Sequence, residues 1–170
     1  MPLYNRIAAA NYDTTWALHR NPMWANDSVP GHGGDCTNFV SQALHAGGWI
    51  MIPPSYLSLC PWYAEPFDYS RRSRTPSWAS ANHFGKLLRI CGRARPCLFS
   101  ELMIGDVIQQ GLPGYDYPSH TMIVTKIAQG NIYLSYHSTD FLNTSIQDVL
   151  NRVSKGAWFN NWRILDIYPS

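Results

Sequence analysis

The chain has 170 residues, 13 Lys and Arg against 11 Asp and Glu, a formal net charge of +2 and 45% apolar residues. That length predicts one domain, 1–170, able to bury a core without staples, and the apolar content excludes a disordered chain. The small net charge argues against a nucleic-acid partner, and no window approaches the roughly 20 apolar residues of a membrane span.

The first 21 residues lack the apolar run of a signal peptide. Residues 4–20 instead carry Ile7, Ala8, Tyr12, Thr15 and Trp16 near a 3.6-residue period, which predicts a helix stopped by Asn21-Pro22. A Pro/Gly-rich loop over 30–34 leads to a second predicted helix, Cys36 to Ala46. Phe39, Val40, Ala43 and Leu44 share one of its faces, Asp35 takes the N-cap position and Gly47-Gly48 ends it. Residues 49–75 read as a long surface excursion. Its Trp49, Tyr56, Trp62 and Tyr63 are candidate walls of a substrate groove, with core packing as the rival reading. A helix is predicted over 77–88 and a turn over 99–105.

The period changes in the second half. Strands are predicted over 106–109, 120–127, 132–137 and 162–168, with a hairpin turn at Gln129-Gly130-Asn131 and a short helix over 145–153. Helices first and antiparallel strands after describe an α+β fold, with the second helix packed on the sheet. Two basic runs, Arg71, Arg72, Arg74 and Arg89, Arg93, Arg95, read as solvated loops or as a footprint for an acidic polymer. The four cysteines, Cys36, Cys60, Cys91 and Cys97, include no C-x-x-C pair. Cys91 and Cys97 bracket a short segment that a disulfide would close in an exported protein.

The densest chemistry lies in Gly33-Gly34-Asp35-Cys36-Thr37-Asn38-Phe39-Val40-Ser41-Gln42. A cysteine at a helix N-terminus meets unpaired N–H groups and the positive dipole end, which favour a thiolate and bind an oxyanion. The alternative is a small buried hydrophobe. Among six histidines, His120 is the candidate base, because it opens a strand and a strand positions a ring better than a loop does. His137 ends the next strand and is the candidate third residue, accepting the His120 Nδ1–H and fixing its tautomer; Asp140 is the runner-up. Asp35 is expected to cap the helix, and Asn38 and Gln42 to order the site from behind. A zinc site from two histidines and a cysteine is disfavoured, since no carboxylate joins the set by spacing.

The order of a helix-borne Cys, a strand-borne His and a second strand-end polar residue resembles the papain-like NlpC/P60 and CHAP superfamily of cysteine hydrolases. More closely, the chain is similar to the putative amidase domain family. The shared blocks are Tyr4-Asn5-Arg6-Ile7-Ala8-Ala9-Ala10-Asn11-Tyr12, Gly33 to Gln42, Gly105 to Ile108, His120 to Thr125 and Tyr133 to His137. The resemblance implies a papain-like fold with Cys36 as nucleophile and His120 as base. It also implies amide hydrolysis in bacterial peptidoglycan, outside the cytoplasm, by a wall-lytic enzyme or an antibacterial effector. An effector would have an inhibitory immunity protein as a further partner. The acyl-transfer chemistry needs no metal or organic cofactor. Two other functions remain open from the residues: acyl transfer to an amine, as in a transglutaminase, and a non-catalytic wall-binding module.

Overall fold

The computed structural model describes residues 2–169 and is α+β, built around a six-stranded antiparallel sheet of order β1-β6-β2-β3-β4-β5. The helices are α1 (Arg6–Trp16), α2 (Cys36–Ala46), α3 (Pro76–Ala79), α4 (Ala81–Ile90) and α5 (Ile146–Arg152). The strands are β1 (Ala94–Pro96), β2 (Val107–Gly111), β3 (Pro118–Ala128), β4 (Asn131–Tyr136), β5 (Phe141–Ser145) and β6 (Trp158–Ile164).

Helix α1 is shorter than its periodicity predicts. It starts where the Asn5 side chain accepts the Ala8 N–H, and ends at Ala17. Helix α2 has the predicted bounds, and its chain leaves through Gly48 at φ +102, a left-handed value that glycine adopts without strain. The helix predicted over 77–88 divides in two, because Ser80 is extended at φ −111, ψ 127. The β3–β4 hairpin turns on Gln129 and Gly130, both at positive φ, and pairs Ala128 with Asn131. The last strand lies at Trp158–Ile164 rather than 162–168. Strands β1 and β5 carry little apolar alternation and were not predicted.

Strand period sorts the core into two layers. Val107 and Ile123 face Val40, Ala43 and Leu44 of α2 in one cluster. Ile108, Met122, Val124 and Leu134 face Val149 of α5 in the other. Trp49 and Trp62, expected along a groove, belong to the first cluster at 0% and 1% exposure; their rings lie 5.3 Å apart, edge to face. Burying rings of that size is worth more to the core than a surface could return. Tyr56 is 96% exposed on the excursion, outside that core.

The basic runs are not simply solvated. Arg93 is buried between the Trp49 and Tyr168 rings and donates to the Ile50 carbonyl at 2.7 Å. Arg74 is ion-paired with the buried Asp27. All four cysteines are free, Cys91 and Cys97 included. Asp106, fully buried, holds the N-terminal helix to the sheet. It accepts from Arg6 at 2.6 Å, from Arg163 at 2.8 Å and from the Ile164 N–H at 3.0 Å.

Two stability outcomes follow from buried carboxylates. Asp106→Ala strands two guanidinium groups and should cost about 3 kcal/mol in urea unfolding. Asp13, on the buried face of α1, has neither oxygen hydrogen-bonded among the described residues, and burial raises its carboxyl well above the usual range. A raised folded-state value contributes stability at acid pH that is lost as pH rises above the ordinary carboxylate range. Asp13→Asn should therefore raise Tm by several degrees at pH 7 and by less at pH 4.

Candidate active site

Strand β3 outruns its neighbour. Its pairing with β4 starts at Ile123↔Ser135, so residues 118–122 extend past the last β4 pair while β2 still flanks them on the other side. The head of α2 fills that gap. The Thr37 and Thr121 hydroxyls are 2.8 Å apart, and the Cys36 sulfur lies 3.8 Å from the same Thr37 hydroxyl. Cys36 is thereby registered against the residue that follows His120.

The sulfur is buried, with 7% of Cys36 exposed. Burial pushes the thiol above its ordinary value. Hydrogen bonds from the Thr121 backbone and from the Thr37 hydroxyl and backbone oppose this, and the Asp35 charge adds to it. The thiolate expected from the helix dipole is therefore not the resting form: desolvation outweighs the helix terminus. Below the sulfur a buried polar chain continues. Gln109 Nε2 donates to Thr121 Oγ1 at 3.3 Å and to the Ala81 carbonyl at 2.9 Å.

His120 leaves β3 on the opposite face from Thr121, as strand alternation requires. It pairs across β2 with Gln110 and stands edge-on to Tyr136, ring centroids 5.0 Å apart. Burial lowers its pKa to about 4. Among the described residues nothing hydrogen-bonds its ring.

His137 does not supply the expected third group. The pairing sets Ile123 opposite Ser135, which brings Ser138, not His137, level with His120. His137 instead faces α2. Its Nδ1–H donates to Asp35 Oδ2 at 2.6 Å, its Nε2 lies 3.0 Å from the Trp16 carbonyl, and its ring stacks 3.7 Å from Phe39. Asp140, the runner-up, is held by Arg20 at 2.9 Å.

Asp35 sits at the N-cap but makes no side-chain cap bond. It is a buried junction. Oδ1 accepts from the Asp27 N–H at 2.9 Å and from Asn38 at 2.7 Å, while Oδ2 takes His137 and is ion-paired with Arg20 at 3.1 Å. Asn38 also donates to the Ala25 carbonyl and accepts from the Trp78 indole; Gln42 accepts from Tyr12 at 2.7 Å. Both side chains are buried and engaged by these partners. Ser138 was missed by sequence reasoning. It has φ 75, and its hydroxyl accepts the Asp35 N–H at 2.7 Å against Gly34, where a Cβ would lie 2.8 Å from that hydroxyl oxygen. Among the described residues no cluster of three metal-ligating side chains occurs, and no helix is long and apolar enough to cross a membrane.

A family model described as "Putative amidase domain" matches residues 3–162. The chain is 30% identical to the uncharacterized protein YjcM of Bacillus subtilis (strain 168) over 167 residues, covering 88% of this chain and 34% of that one. It is 34% identical to the uncharacterized protein YhbB of the same strain over 137 residues, covering 77% of this chain and 40% of that one. The chain thus spans between a third and two-fifths of these relatives' lengths. No solved structure matches it.

A protonated resting thiol makes a kinetic signature. Iodoacetamide modification of Cys36, followed by peptide mass analysis, should accelerate about tenfold per pH unit between pH 6 and 8. A rate that is flat over that interval would mean a preformed thiolate–imidazolium pair.

Proposed function

This chain belongs to the putative amidase domain family, and from that membership and the geometry at the head of α2 we propose that it hydrolyses amide bonds by cysteine catalysis, with Cys36 as nucleophile and His120 as base. The observation that carries this reading is the meeting of the Thr37 and Thr121 hydroxyls, 2.8 Å apart, which sets the head of α2, and Cys36 with it, against the residue that follows His120 on β3. The helix-over-antiparallel-sheet layout is compatible with a papain-like NlpC/P60 fold, which we include in the proposal. The substrate we propose is bacterial peptidoglycan, on the strength of the resemblance to NlpC/P60 and CHAP hydrolases. Either a wall-lytic enzyme or an antibacterial effector fits that substrate, and an effector would be met by an inhibitory immunity protein.

In this reading both groups start neutral. The His120 ring, which among the described residues has no hydrogen bond holding it beside Tyr136, swings from the α5 face round the edge of β3 that β4 leaves uncovered, reaches the sulfur and removes the thiol proton as the sulfur bonds to the amide carbonyl carbon. The first N–H groups of α2 stabilise the oxyanion, since Asp35 does not consume them as a cap. Imidazolium then returns the proton to the leaving nitrogen as the C–N bond breaks. Water, deprotonated by the same ring, cleaves the thioester and restores thiol and imidazole. With His120 at about 4, the base stays unprotonated through mildly acid pH, where an ordinary imidazole would be lost.

Digestion of purified peptidoglycan, with mass analysis of the fragments, tests the reading. Wild-type protein should release fragments with new amine and carboxylate ends. Cys36→Ala and His120→Ala should each lower the rate at least a thousandfold while the circular dichroism spectrum is kept. Undiminished cleavage by Cys36→Ala would sink the cysteine mechanism.

A further inference from the structure

The His120 ring opens onto a cavity of about 390 Å³ on the α5 side of the sheet. Its composition is uneven. Met122, Phe141, Val149 and Val153 make an apolar floor, and the hydroxyls of Ser138 and Thr139 stand at the rim. One formally charged side chain lines it, Arg152 from the last turn of α5. His120 itself is neutral at physiological pH, and no carboxylate among the described residues lines the cavity. Of the two acids that adjoin the lining along the chain, Asp140 is ion-paired with Arg20 and Asp148 accepts from the Ser145 hydroxyl at 2.7 Å.

The guanidinium of Arg152 is positioned rather than free. It lies over the Phe141 ring at 4.2 Å and donates to Thr144 Oγ1 at 3.3 Å. Those partners are an aromatic face and a hydroxyl, and among the described residues no carboxylate is ion-paired with it. A planar fork of donors in that state suits a carboxylate, which it can grip through two N–H groups. The apolar floor suits a short run of methylenes between such a carboxylate and the amide under attack.

We infer that this cavity is a substrate subsite for a carboxylate-bearing residue adjoining the scissile amide, with Arg152 as its counter-ion. The inference rests on the proposed Cys36–His120 chemistry and narrows it: the preferred substrate is an acidic peptide-like amide. Ser138 links the two places, since its hydroxyl holds the Asp35 N–H beside the nucleophile while its other side borders the cavity.

Thiol-directed probes of graded reach test the subsite without knowing the natural substrate. Bromoacetyl-glycine, bromoacetyl-β-alanine and bromoacetyl-γ-aminobutyrate are compared with their carboxamides. Modification of Cys36 is read by mass analysis, with each rate divided by the same protein's rate with iodoacetamide. At least one acid should react about tenfold faster than its carboxamide, the effect of one charge-assisted pair. Arg152→Gln should bring that ratio to about one, and Arg152→Lys should keep part of it, which separates charge recognition from a folding defect. A ratio near one for all three acids in the wild type overturns the subsite, as does a preference that survives in Arg152→Gln. These failures are distinct from failure of the cysteine mechanism, which is read separately by Cys36→Ala on peptidoglycan.

Discussion

A buried carboxylate joins the two halves of this molecule. Asp35 is 1% exposed and lies at the junction of the glycine loop and α2, where it gathers a backbone N–H from Asp27, the Asn38 amide, the His137 ring and the Arg20 guanidinium. Removing a carboxylate from water is costly, and only several donors in good geometry offset it. That requirement fixes the head of α2 against the end of β4. With the helix head fixed, the Thr37 hydroxyl meets Thr121 on the stretch of β3 that runs past β4, and Cys36 is brought against that stretch with it. Cys36 is thus located by the acid beside it in the chain, through the contacts that fix the helix head.

The electrostatics of the pair depend on the same burial. A helix N-terminus favours a thiolate, but typically by only about 0.3–1 kcal/mol at a solvated site. Desolvation of an ionised sulfur is larger, and a negative Asp35 one residue away adds to it. His120 is moved in the complementary sense, toward the neutral ring. Two groups shifted this way store no charge at rest; in the proposed mechanism charge is created only as the carbonyl is attacked, with the first N–H groups of α2 on hand for the oxyanion. The arrangement also explains why the cavity beside His120 has a single sign of charge, since the imidazole contributes none and Arg152 alone sets it.

Much of the secondary structure was legible in local pattern. The α2 bounds followed from the Asp35–Cys36 start and the Gly47-Gly48 stop, and the β3–β4 hairpin followed from Gln129-Gly130. The division of the 77–88 helix at Ser80 was not legible, because nothing in that stretch resembles a breaker. Strands β1 and β5 escaped notice because they are short and take their place by pairing with β6 and β4, not from their own alternation. The tryptophans show the limit of composition: Trp49 and Trp62 suit a groove or a core equally well until the layer that covers them is known.

The sequence by itself determined that a cysteine heads an amphipathic helix, that a histidine opens a later strand, and that helices precede an antiparallel sheet. Each of these is a local matter of period, cap and turn. Only the tertiary structure decided the partners. His137 turned to Asp35, 102 residues away, because the strand register sends it to the α2 face and His120 to the other. Asp35 became a junction instead of a cap, and the thiol came to rest protonated. These outcomes depend on which distant groups exclude water from a side chain, and desolvation is a property of the packed whole that no short stretch of residues encodes.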